Sequence, residues 1–156
     1  MALVLEYEKA TRLAETARLR RVMAVRALLA EGASQREVAE RLGVTQPAIS
    51  YQVAAERTEG VRPSELIAAG GTVLRLFAEQ RGFANLAVFG SAARGDDRVD
   101  SDIDLLVQPP PGADLFEMLR FEEALGTILG RRVDLVSYRG LDPGLDRDIL
   151  RDRVLL

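Results

Sequence analysis

Apolar residues recur at three- and four-residue spacing through residues 4–31. Leu13, Ala17, Leu19, Val22, Met23, Val25, Leu28 and Leu29 mark one long helix, or two joined, that Glu31-Gly32 brings to a stop. A second helix is expected to open at Ser34-Gln35-Arg36-Glu37, a capping box in which the serine oxygen accepts from the first turn and the glutamate answers it. Val38, Ala39 and Leu42 carry that helix to Gly43. Thr45 is placed to cap a third, running through Ile49 and Val53 to about Arg57. Pro47 falls in its first turn, where the missing N–H costs little. Val38, Leu42, Val44, Ile49 and Val53 are the expected core of this front part.

Thr58-Glu-Gly-Val-Arg-Pro63 reads as a linker, and the pattern changes beyond it. Ser64 is expected to cap a helix reaching about Gln80, with Gly70-Gly71 inside it. Short apolar runs at Asn85–Phe89, Asp102–Val107 and Arg132–Ser137 read as strands, the second stopped by Pro109-Pro110-Pro111. Residues 114–129 form an amphipathic helix between the last two, and Asp142-Pro143 is an N-cap and first-turn pair for a final helix. The expected class is α+β. An all-helical helix-turn-helix domain over residues 1–62 is followed by a small mixed-sheet α/β domain over 63–156.

Composition narrows the chemistry. Of 156 residues 47% are apolar and 29% charged, as in a folded soluble chain. No apolar run is long enough to span a membrane, and the first nine residues lack the pattern of a secretory signal, so a cytoplasmic location is expected. Cysteine and histidine are both absent. Thiolate nucleophiles, imidazole bases and zinc-thiolate sites are thereby excluded, and any metal must sit on oxygen. The net charge of −3 is uneven: residues 1–62 carry ten Lys/Arg against eight Asp/Glu, and residues 63–156 eleven against sixteen.

The most specific stretch is Gly90-Ser91-Ala-Ala-Arg94-Gly95-Asp-Asp-Arg-Val-Asp100-Ser101-Asp102-Ile-Asp104. A turn at Gly90-Ser91, after one strand, offers backbone N–H groups to an anion, and Arg94 adds a forked cation suited to phosphate. Alternation along the next strand puts Asp102 and Asp104 on one face and Ile103, Leu105 and Val107 on the other. Paired carboxylates are costly in a plain core, and divalent cations reverse that cost. Asp134, in Arg-Val-Asp-Leu-Val, is the best third carboxylate.

The spacing Gly-Ser, ten residues, Asp-x-Asp, with Arg94-Gly95 and Val133-Asp134-Leu-Val, resembles the minimal nucleotidyltransferase family of the DNA polymerase β-like superfamily. The resemblance covers most of residues 64–156. It implies a mixed sheet backed by helices, two Mg²⁺ ions, and ATP as donor of AMP with release of pyrophosphate. Gly90, Ser91 and Arg94 would meet the nucleotide, while Asp102, Asp104 and Asp134 would be the catalytic, metal-holding carboxylates. Many proteins of this kind are antitoxins paired with a HEPN-type ribonuclease toxin, and some add AMP to it.

The front resembles the helix-turn-helix of many bacterial repressors along Ser34-Gln-Arg-Glu-Val-Ala-Glu-Arg-Leu-Gly-Val-Thr-Gln-Pro-Ala-Ile-Ser50. Gln46, Pro47, Ser50 and Tyr51 are its expected groove-facing positions, with Arg36, Arg41, Arg20 and Arg21 as phosphate contacts. A plain helical hairpin for protein contact is the alternative. Together these imply an antitoxin-like homodimer that binds double-stranded operator DNA and adenylylates a HEPN-type toxin, with no membrane association. Two other readings stay open: a DNA-binding regulator whose transferase domain binds nucleotide or partner without turnover, and a free-standing transferase for a small molecule.

Overall fold

The structure is a computed structural model that describes residues 1–55 and 58–156. Its front consists of α1 (Ala2–Ala30), α2 (Gln35–Leu42) and α3 (Gln46–Ala55). The first helix is continuous. The capping box of α2 forms as expected: Ser34 Oγ accepts from Glu37 N, and Glu37 Oε2 accepts from Ser34 N at 2.7 Å. Gly43 takes the left-handed conformation that ends α2, and Thr45 Oγ1 accepts from Ala48 N at the start of α3. The expected end of that helix near Arg57 lies outside the described residues.

Val38, Ala39 and Ile49 bury against Val25, with Leu28, Leu29, Ala33 and Val53 packed around them. Leu42 and Val44 do not join this core. They are about half exposed, at the last residue of α2 and just past its Gly43 cap. Leu13 and Ala17 are also exposed, since the N-terminal half of α1 meets neither core.

The back begins with α4 (Pro63–Gln80), followed by β1 (Ala84–Phe89), α5 (Gly90–Arg94), β2 (Ile103–Gln108), α6 (Leu115–Leu129), β3 (Val133–Ser137), α7 (Arg147–Asp152) and β4 (Val154–Leu155). The four strands form one mixed sheet in the order β3-β2-β1-β4. β2 and β3 run parallel, while β1 is antiparallel to both β2 and β4. The parallel pair is joined through α6, whose Asp114 N-cap closes a capping box with Glu117.

Two local expectations differ, and one strand was not expected. Ser64 is not the cap of α4: Arg62 is, with Pro63 in the first turn, and the Ser64 N–H donates to Asp97 Oδ2 at 2.8 Å. Asp142 does not start the last helix. Its carboxylate closes a turn on Gly144 and Leu145, and α7 starts after Asp146. The strand at Val154–Leu155 falls in a stretch too short to show a period.

One core runs through both parts. Leu19, Met23 and Ala27 of α1 pack with Leu66, Ala69 and Phe77 of α4 and Leu125 and Ile128 of α6. Phe83 and Phe121 stack with centroids 3.9 Å apart. Gly70 is required by this joint, because a β-carbon there would overlap Met23 Sδ. The 58–63 segment is tied down as well. Thr58 is buried and donates to the Gly130 carbonyl, while the Arg131 guanidinium donates to the carbonyls of Thr58, Val61 and Val99. α1 therefore serves two cores from opposite faces.

Candidate active site

The Gly-Ser turn follows from how β1 ends. Phe89 is extended, and Gly90 turns the chain at φ +69°, a left-handed conformation that costs glycine least, so α5 starts at once. Across the sheet Phe89 pairs with Asp104, and Asp104 in turn pairs with Asp134 in the parallel register. That places the Asp104 carboxylate against the backbone of Gly90. A β-carbon on Gly90 would overlap Asp104 Oδ2 and lie 3.3 Å from its Cγ. Two independent constraints thus require glycine here.

Asp104 and Asp134 stand side by side on neighbouring strands roughly 4.8 Å apart. Asp102 lies just before β2, two residues from Asp104. Ile103, Leu105 and Val107 are fully buried on the core side, so the alternation read from the sequence holds. Burial, then the charges of Asp134 and Asp102, push the Asp104 carboxyl above its ordinary range, and Arg94 opposes them. Neighbouring carboxylates thus disfavour the charged form of Asp104, a cost that a bound cation would offset.

The donor set fits a hard divalent cation, being oxygen only. Among the described residues, however, no three acidic side chains are already gathered into a cluster that holds a metal. Arg132 lies against two of them, 3.8 Å from Asp102 and 3.7 Å from Asp134. Arg94, at the end of α5, pairs with Asp96 at 3.2 Å and with Asp152 of α7 at 3.6 Å.

Sequence reasoning brought forward Gly90, Ser91, Arg94, Asp102, Asp104 and Asp134, and the fold places all of them at one end of the β1–β2–β3 sheet. It missed Arg132 and Asp152. Arg132 stands two residues before Asp134, so strand alternation was a usable signal. Asp152 reaches Arg94 only through tertiary folding and left none.

The DNA-facing candidates gather elsewhere. Gln46, Pro47, Ser50 and Tyr51 are exposed on α3, as are Arg36 and Arg41 on α2, where Arg36 pairs with Glu40. Arg20 is occupied differently, donating to the Ala69 carbonyl at 2.8 Å as part of the joint between α1 and α4.

Comparison with known proteins places the back half. The protein adenylyltransferase MntA of Thermococcus cleftensis is 40% identical over 76 residues, covering 49% of this chain and 77% of that protein. A candidate protein adenylyltransferase of Methanocaldococcus jannaschii, MJ0435, is 34% identical over 76 residues, covering 49% and 76%. The solved structure of a candidate minimal nucleotidyltransferase shares 41% identity, covers 60% of this chain and 95% of its own, and superposes with a TM-score of 0.54. The family model described as polymerase beta nucleotidyltransferase matches residues 72–156, which hold the Gly90 turn and all three aspartates. With more than half the chain matched, the protein belongs to the polymerase beta nucleotidyltransferase family.

Proposed function

We propose that this nucleotidyltransferase is a Mg²⁺-dependent protein adenylyltransferase of an antitoxin kind, moving AMP from ATP onto a HEPN-type toxin. The observation that carries the reading is the register Phe89–Asp104–Asp134, which sets two carboxylates beside a glycine turn. Gly90 and Ser91 receive the triphosphate at the start of α5, and Arg94 balances charge on its phosphates. Asp102, Asp104 and Asp134 would hold two Mg²⁺ ions through their carboxylate oxygens. When bound, such ions neutralise the phosphates and favour the hydroxyl's deprotonation. Asp134 would accept that proton as the hydroxyl oxygen bonds to the α-phosphorus and the bond to the departing pyrophosphate breaks. The name borne by the Thermococcus relative supports a protein as acceptor.

The front is proposed to bind double-stranded operator DNA. α3 would enter the major groove with Gln46, Pro47, Ser50 and Tyr51, while Arg36 and Arg41 meet phosphates. Two half-sites would be read by a homodimer in the cytoplasm.

A second reading, nucleotide or partner binding without turnover, is favoured by Arg132, which holds two of the three carboxylates. Co-expression with a toxin encoded beside this chain separates the two. The leading reading expects growth rescue by the native protein and none by Asp102→Asn. Rescue by Asp102→Asn without AMP on the toxin would establish the second reading instead.

A further inference from the structure

The N-terminal half of α1 stands clear of both cores. Every residue from Met1 to Glu15 is exposed, including Leu3 (85%), Tyr7 (75%) and Leu13 (72%). A helical segment of about 15 residues is marginal in water without tertiary support. At roughly 100° per residue, Leu3, Tyr7, Ala10, Ala14 and Ala17 fall on one narrow stripe, with Leu13 at its edge. The stripe lies on the same side of α1 as Val25 and Leu28, which meet α2 and α3, and opposite Leu19 and Met23, which meet the sheet domain.

We infer that this stripe pairs with the same stripe of a second copy, antiparallel. Three observations choose that occupant and direction. Net charge shifts along the exposed helix: Glu6, Glu8 and Lys9 leave −1 near one end, while Arg12, Glu15, Arg18, Arg20 and Arg21 leave +3 toward the other. Antiparallel pairing sets acidic end against basic end, and parallel pairing sets like against like. Size alternates to match. One register puts Tyr7 over the partner's Ala17 and Ala10 over the partner's Ala14, brings Leu13 beside the partner's Leu13, and brings Glu6 toward the partner's Arg21. Finally, α2 and α3 cover the stripe's own face further along α1, so parallel helices would force the two α2–α3 pairs together.

The antiparallel register sends those pairs to opposite ends of the seam. Val25 and the partner's Val25 are then separated by about 26 residues of helical rise, roughly 39 Å. That is close to the ~34–36 Å between successive major-groove half-sites on one face of DNA. The inference deepens the DNA-reading proposal by supplying its dimer, and rests on that proposal only for the use of the spacing.

The chain has no cysteine, so introduced thiols report cleanly. Full-length Tyr7→Cys and Ala17→Cys proteins are mixed and oxidised with copper phenanthroline, alongside each alone. The inference expects a cross-link in the mixture and little in either alone. It also expects native protein to sediment at twice 17.1 kDa and Ala14→Glu at 17.1 kDa with an unchanged Tm. Cross-linking by Tyr7→Cys alone would establish a parallel seam and overturn it. A monomeric native protein at about 100 µM, well above the range of specific self-association, would overturn it too. AMP transfer is assayed on Ala14→Glu as well: transfer by a monomer keeps the enzymatic reading standing whichever way the seam falls.

Discussion

Asp104 is packed against the backbone of Gly90, so closely that a β-carbon on Gly90 would overlap the Asp104 carboxylate. The turn and the central carboxylate are thus one unit, set by the pairing of Phe89 with Asp104. Gly90→Ala must also adopt φ +69°, which disfavours any L side chain. We expect it to cost about 1–3 kcal/mol of stability and to lower AMP transfer by about 100-fold or more, by displacing Asp104. Urea unfolding and transfer assays on the same preparation check both numbers.

Burial and two neighbouring carboxylates hold Asp104 above its ordinary range. An acid raised on folding binds protons more tightly in the native state, so its contribution weakens as pH rises from the unfolded value through the folded one. Asp104→Asn removes that cost. Without divalent metal the variant is expected to melt higher than the native protein at neutral pH, while Mg²⁺ raises the Tm of the native protein and leaves the variant unmoved. Equal Mg²⁺ shifts in both would count against Asp104 as a ligand.

The start of α4 offers a pH test of opposite sign. Burial pushes the Asp97 carboxyl up, but the N–H and hydroxyl of Ser64, its own N–H and the nearby Arg62 bring it below its ordinary value. Its contribution is present above the unfolded value near 3.9 and lost as pH falls through the lower folded one. Asp97→Asn should cost about 1 kcal/mol at pH 7, as loss of a helix cap does. Native and variant stabilities should converge in acid, and parallel denaturation curves across pH would refute this.

Tyr51 and Gln46 are exposed at the front of α3, and Arg41 at the end of α2. Gln46→Ala is expected to cost about 1–3 kcal/mol on the cognate operator and little on random DNA. Arg41→Ala should weaken both alike and flatten the dependence of binding on salt. Band-shift titrations at two ionic strengths distinguish these patterns.

Much of the site was legible because it is written locally. Gly90-Ser91 and Asp102-x-Asp104 announce a turn and a strand face, and the capping box at Ser34 announces α2. What escaped depends on long-range packing. Leu42 and Val44 are apolar and flank the Gly43 cap, yet both stay about half exposed. Leu13 and Ala17 fit the period of α1, yet the body of the protein ends before reaching them. Asp142 had the residue type of an N-cap and spends it on a tight turn. Arg132 was visible two residues from Asp134, but only the parallel register shows that it also reaches Asp102. The joint between the two parts was hidden for the same reason. Gly70 reads as a helix weakness until Met23 is found filling its place.

The most direct test of the account uses ATP labelled at the α- or the γ-phosphate, the purified chain, Mg²⁺ and the proposed HEPN-type toxin partner. The account predicts α-label on the toxin, no γ-label, dependence on Mg²⁺, and loss of signal with Asp104→Asn. Absence of α-label from the toxin, with both proteins folded and nucleotide bound, would contradict it.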